Sequence, residues 1–387
     1  MNEKTIENLS KPTSRRETLK ILTGVGAMIV LAACPGPDPE PKPKPPDPEP
    51  PEVKNKDYLN RPNCVRKENN HAYQKMLKLP NADALVKIFD KANEFIQIFE
   101  ENYNEPGYGA YDCVMSLGEL AIRKGGTIDG NLGVQYLDYA LLSSAIDLAN
   151  KDRTWINEPQ FRINPLFRID PYKDDHILTW GQANLACLKM TRQELEQRQA
   201  LANEEMKRYF DLVKEKNPST KYETLKLLFE MLIERVEYDT SNNALLGGTQ
   251  EAFVEKKVRC DGYSGALEFL GAKCGIEIYK IVENSMNHGW NLARGDDGKL
   301  YWIDATWDDC GEKSCDRYFF KGSDNFYAHT QYYEGMITGT EVPLRYFIDP
   351  KDISGEDYKR NETLHLVCAR KEKSAAKRRY AFSGKYA

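Results

Sequence analysis

His288-Gly289-Trp290-Asn291-Leu292-Ala293-Arg294, then Gly295-Asp296-Asp297-Gly298, then Lys299-Leu300-Tyr301-Trp302-Ile303-Asp304-Ala305, is the stretch on which the fold turns. Two runs rich in aromatic and aliphatic residues flank a joint of glycine and aspartate, the pattern of a β-hairpin. A further strand-like run, Glu277 to Glu283, precedes it, and Arg317 to Lys321 follows. Side chains alternate along a strand, so whether His288 and Asp304 share a face depends on register. Direct opposition requires Ala293 to face Lys299 across a five-residue loop, Arg294 to Gly298. A tight two-residue turn at Asp296-Asp297 would put the two side chains on opposite faces.

Upstream, Ser264 to Ala272 has helical character and is entered through Val258-Arg259-Cys260-Asp261-Gly262-Tyr263. A cysteine at a helix start meets free amides and the positive end of the helix, which favour thiolate over thiol. The Cys260 backbone amide is itself a candidate oxyanion donor, with Gln250 as a second by analogy with other thiol hydrolases. Histidine is the usual proton partner of a thiol nucleophile, and His288 is placed for it. An aspartate in an apolar strand is costly unless paired, and Asp304 across the hairpin would orient the histidine. Asn291, three residues from His288, falls on the opposite face and is read as structural. Trp290, Trp302 and Trp307 could wall the site but are read as core packing, Asp308 and Asp309 as turn residues, and His329, which could approach the cleft, as a loop position. Helix first and antiparallel strands afterwards indicate an α+β fold, with the cysteine-bearing helix packed on the sheet.

Cys260-Asp261-Gly262-Tyr263, His288-Gly289-Trp290-Asn291 and Asp304-Ala305-Thr306-Trp307-Asp308 resemble the three core motifs of the transglutaminase-like superfamily. The likeness covers Tyr222 to Lys321 and includes Glu237-Tyr238-Asp239. It implies a papain-like α+β core with Cys260, His288 and Asp304 as a catalytic triad. Lys257-Val258-Arg259 stands where small residues are more typical, and Gly289 replaces a commoner alanine. Three readings of function follow. The first is a peptidase-like thiol hydrolase acting on peptide or isopeptide amides of a protein substrate. The second is a crosslinking transglutaminase, and the third a binding or scaffolding module without catalysis. No calcium site of the kind that regulates animal transglutaminases is visible. Neither cofactor nor metal is expected.

Before this core, Ala82 to Tyr103, Gly133 to Ala149 and Gln193 to Lys216 carry apolar residues at helical spacing. Thr154 to Tyr172 reads as a long aromatic, proline-punctuated connection, and His71 and His176 as surface residues. The first 33 residues read as a signal peptide with a paired-arginine n-region. Leu31-Ala32-Ala33-Cys34 resembles a bacterial lipobox, with Cys34 the lipidated mature N-terminus. Pro35 to Pro51 holds ten prolines in seventeen residues, an extended stalk of ~3.1 Å per residue. The expected division is therefore 1–33 signal, 34–56 lipid-anchored linker, 57–218 mostly helical, 219–345 catalytic core and 346–387 a C-terminal segment with a basic tail. Export and attachment to the bacterial membrane or cell surface through the lipid follow.

A formal charge of −5 argues against an electrostatic hold on nucleic acid, and no aromatic-basic interleaving suggests otherwise. Nine cysteines, less the lipidated Cys34 and the thiol of Cys260, leave an odd number, so no complete disulfide framework fits one chain. Cys310 and Cys315 bracket a short polar loop and are candidates for a local bridge. Oligomeric state is not legible.

Overall fold

The computed structural model describes residues 59, 61–79, 82–101, 110–115, 120–124, 133–154, 162–169, 175–186, 191–241, 248–283, 286–310, 317–326, 329, 336–337 and 348–359. The signal segment, Cys34, the proline-rich stalk, Cys315 and the basic tail lie outside these residues. Among the described residues no helix is long and apolar enough to cross a membrane.

The N-terminal part carries α1 (His71–Met76), α2 (Ala82–Glu101), α3 (Gly133–Asn150) and α4 (Arg192–Lys216). The helical spacing of the sequence is met in the last three. Thr191 closes α4 with a capping box, its side chain accepting from Glu194 N while Glu194 reaches back to the Thr191 amide. The expectation of a mostly helical region needs one correction, a four-stranded antiparallel sheet. Its strands are β1 (Ala110–Met115), β2 (Leu120–Lys124), β3 (Arg162–Ile169) and β4 (Asp175–Ala186). β4 is the spine: β3 runs along one edge, and β1 and β2 share the other. The supposed connection from Thr154 to Tyr172 thus contains β3. Pro165 disguises it, because proline has no amide for a ladder and is tolerated only on an edge strand such as this one.

The second half opens with α5 (Lys221–Arg235), capped by Thr220, whose side chain accepts from Glu223 N. A two-residue strand β5 (Glu237–Tyr238) pairs in parallel with β6 (Lys257–Val258), with α6 (Thr249–Phe253) between them. Then come α7 (Cys260–Lys273), β7 (Ile278–Glu283), β8 (His288–Arg294), β9 (Leu300–Ile303), α8 (Ala305–Cys310) and β10 (Met336–Ile337). The sheet order is β10-β7-β8-β9, all antiparallel. The chain is a mixed helix-and-sheet protein with a small antiparallel sheet in this half. Arg317 to Lys321, expected as a strand, contributes a single bridge from Lys321 to Trp302.

The sheet separates two cores. Ile278, Ala293, Tyr301 and Ile303 join Leu228, Phe229 and Leu232 of α5 and Tyr263, Ala266 and Leu270 of α7 in the larger one. Tyr279, Ile281, Trp290, Leu292, Leu300 and Trp302 form the other with Phe326 and Ile348. Asn291 belongs to the first face, and its Nδ2 donates to Ser264 O at 2.9 Å, tying strand to helix. It is structural, as its strand position predicts.

The N-terminal part is joined to α7 by buried polar contacts. Lys151, at the end of α3, pairs with Asp147 at 2.8 Å and with Glu268 of α7 at 3.0 Å. Glu268 also accepts the Lys280 amide of β7 at 2.8 Å. At the other end of α7, Lys273 Nζ donates to Pro62 O and Cys64 O. His71, read as a surface residue, instead lies edge-on to Tyr279 with ring centroids 4.4 Å apart. Burial lowers its pKa to about 4 despite Glu268 and Glu277 nearby, so it is neutral in the packed structure. His176 is a β4 position, paired with Ile122 and Ile169.

Candidate active site

The hairpin register decides whether the site can form. Arg294 pairs with Leu300 and Asn291 with Ile303, so the loop is five residues, Gly295 to Lys299. Length and parity are those required, but the loop sits one residue further along than direct opposition would need. His288 and Asp304 therefore share a face as diagonal neighbours, still within reach for long side chains. The loop is pinned from outside: Asp296 accepts the amides of Lys221 and Tyr222 at 2.9 and 3.2 Å. Those are orphan donors of the first turn of α5, so a helix start holds the loop.

Asp304 lies just past the end of β9, not deep within it, and heads α8. Its Oδ1 accepts from Thr306 N at 2.8 Å and Trp307 N at 3.1 Å, the role of an N-cap. Its Oδ2 meets His288 Nε2 at 2.7 Å. It also meets His329 Nε2 at 2.8 Å. Burial works against its charge, but His288 and His329 prevail and hold its pKa well below the usual carboxylate range. An ionised carboxylate only accepts, so both Nε2 atoms carry protons. Nδ1 is then the nitrogen of His288 left for the thiol.

His288 opens β8 on the face of Trp290 and Leu292. Burial disfavours its cation, yet Asp304 and then Cys260 raise its pKa to about 10. The ring is stacked on Trp307, centroids 5.4 Å apart, which makes Trp307 a wall of the site as well as a packing residue.

Cys260 is the first residue of α7. The N-cap Arg259 makes no side-chain cap bond, so the positive helix end remains available to the sulfur. Arg259 itself turns aside to Asp239, 3.5 Å away, and donates to Ser241 O at 2.7 Å. Its charge is spent on the Glu237-Tyr238-Asp239 motif. Two glycines bring the helix start in. A Cβ on Gly262 would meet Val258 Cβ at 2.5 Å, and one on Gly289 would lie 3.2 Å from Ser264 Oγ and 3.9 Å from Asp261 Cα. Lys280, fully buried on β7, anchors the same turn through Asp261 at 2.8 Å. The sulfur also lies 3.9 Å from Asn287 O. Cys260 and Trp307 are half-buried and Asn287 is exposed, so the thiol side opens to solvent and the Asp304 side is closed.

Of the residues singled out by the sequence, Cys260, His288 and Asp304 are brought together. Gln250 lies buried on α6, among residues that pack on the core. The proposed Cys310–Cys315 bridge falls outside the described residues. Asp308 accepts Tyr318 N at 3.2 Å, and Asp309 meets the Tyr263 hydroxyl at 2.5 Å, as structural groups do. His329, weighed as a residue that could approach the cleft, lies at a bend and is buried against Asp304. Its only signal was its position downstream of the aromatic run Tyr318-Phe319-Phe320, with no motif to mark it.

His288, Asp304 and His329 offer ligand atoms within 4.8 Å of one another, a set that could hold a metal ion. The same atoms already form a hydrogen-bonded set in which Asp304 has four donors. Hydrogen bonding accounts for their placement.

No family model matches the chain, and no curated protein matches it. Among the solved structures that match is one described as the crystal structure of a TGase. It aligns with 13% identity over 39% of this chain and 45% of its own, at a TM-score of 0.24. The case for the site stands on its geometry.

Proposed function

We propose that the chain is a thiol acyl-transfer enzyme, most simply a peptidase-like hydrolase of peptide or isopeptide amides. The observations that carry this reading are a thiol at a helix start and, facing it, an imidazole whose Nε2 lies 2.7 Å from a buried carboxylate. The Cys260 proton passes to His288 Nδ1, leaving thiolate and imidazolium. The thiolate adds to the amide carbonyl, and the Cys260 amide stabilises the oxyanion. The imidazolium then gives its proton to the departing amine as the C–N bond breaks. Water, deprotonated by the neutral imidazole, releases the acyl group and restores the thiol. Asp304 keeps the ring oriented and balances its charge.

The deciding experiment compares wild type with Cys260→Ala on envelope peptides and on casein with a labelled amine. Cleavage lost in the variant supports hydrolysis, and amine incorporation lost in the variant supports crosslinking. If iodoacetamide labels Cys260 no faster than Cys64 and Cys274, both enzyme readings fall and a binding module is left. Export, lipid attachment at Cys34 and a stalk over 34–56 are part of the same proposal. They would put the enzyme at the bacterial cell surface, acting on envelope protein.

A further inference from the structure

His329 meets the same carboxylate oxygen as His288 from within an aromatic box. Its ring is stacked on Phe326, centroids 3.8 Å apart, with Trp307 at 4.2 Å, Trp290 at 5.1 Å and Tyr318 at 5.7 Å. Such a box would accept phenylalanine equally well on packing grounds. What phenylalanine lacks is the donor that reaches Asp304 Oδ2 at 2.8 Å. We propose that His329 is a positioning residue of the thiol chemistry. It shares Asp304 with His288, so that the carboxylate aligns the imidazole while holding its proton less tightly than an unshared carboxylate would. This rests on the triad reading above and deepens it.

The physical reason is competition for one oxygen. A carboxylate oxygen accepting from two N–H groups presents less negative potential to each, and hydrogen bonds to its charged form steady it. The two histidine rings lie with centroids 5.7 Å apart. Sharing the oxygen lowers the affinity of His288 for its second proton. The other groups around His288 are accounted for from each element. Cys260 faces it from α7, and Glu283 is its cross-strand partner on β7. Asp261 is paired with Lys280, and Asp308 holds the Tyr318 amide. None of these donates to Oδ2. An unshared Asp304 would hold the His288 proton more firmly still, and deacylation requires the neutral ring as base.

The test uses the full chain with ¹⁵N-labelled histidine, as wild type, His329→Phe and His329→Gln. Phenylalanine keeps the aromatic stack and removes the donor, while glutamine keeps a donor near the position of Nε2. Imidazole ¹⁵N resonances followed against pH report where His288 loses its proton. In His329→Phe that point should move up by about one pH unit, and in His329→Gln it should return toward wild type. A merely structural role would lower thermal stability in both variants and leave the point unmoved, which overturns the inference. Should neither variant fold, wild type still decides: His329 must be protonated at Nε2, and finding that nitrogen bare overturns the proposal. Iodoacetamide labelling in the same samples separates the two levels. Preferential labelling of Cys260 with an unmoved titration defeats the His329 role alone, whereas loss of preference in wild type defeats the triad itself.

Discussion

At the scale of single residues, the site is governed by one carboxylate with four donors. Asp304 is fully buried, and a charge there is tolerated only because each oxygen takes two hydrogen bonds. The His288 pKa is raised from 6.5 to about 10, so the folded state binds its proton more tightly than the unfolded chain does. The resulting stabilisation is complete below about pH 6.5 and is lost as pH rises through about 10. Melting temperatures measured from pH 6 to pH 10 should therefore fall more steeply in wild type than in His288→Gln, with the two curves converging at the alkaline end. Parallel curves across that window would show that His288 carries no such linkage. His71 has the opposite sign: its pKa is lowered, so protonating it on acidification opposes the fold.

At the scale of elements, the contact that matters is α7 against the start of β8. Gly289 lets the helix turn bearing Cys260 approach the strand bearing His288. In Gly289→Ala the new methyl would press on Ser264 Oγ. The expected cost is about 1–3 kcal/mol, read by urea denaturation, with slower iodoacetamide labelling of Cys260. Ser264→Ala in the same chain should recover part of both, and no recovery would mean the strain lies elsewhere. Elements of this half were largely legible in the sequence, because each has a strong period or a glycine mark. The hairpin parity was also legible, since alternation permits only two answers. The offset of one pair was not, because it is set by Asp296 docking on the first turn of α5, seventy-odd positions away. Asp304 was read as a strand residue for a related reason: its capping of α8 depends on where β9 stops. Strand β3 was hidden by Pro165, and His329 by the absence of any local pattern around it.

At the scale of the whole molecule, the N-terminal part is tied to the far side of α7. Lys151 is almost fully buried and serves both Asp147 and Glu268, so its removal breaks two ion pairs at once. Lys151→Met should cost about 3–5 kcal/mol, seen as a lower urea midpoint. Its effect on Cys260 labelling below that midpoint should be small, because the contact is two helical turns from the sulfur. A change of less than 1 kcal/mol would show that the two parts are joined by apolar packing alone.

Cys260 is the first residue of α7, His288 the first of β8, and Asp304 the residue before α8. All three groups thus sit at ends of elements, where local opening is easiest. The chain carries its own gauge of intactness: the special reactivity of one thiol reports whether three separate ends are still closed. On titration with urea, the excess labelling rate of Cys260 should disappear before far-ultraviolet circular dichroism changes. Coincident loss of both would mean that the ends open only when everything does.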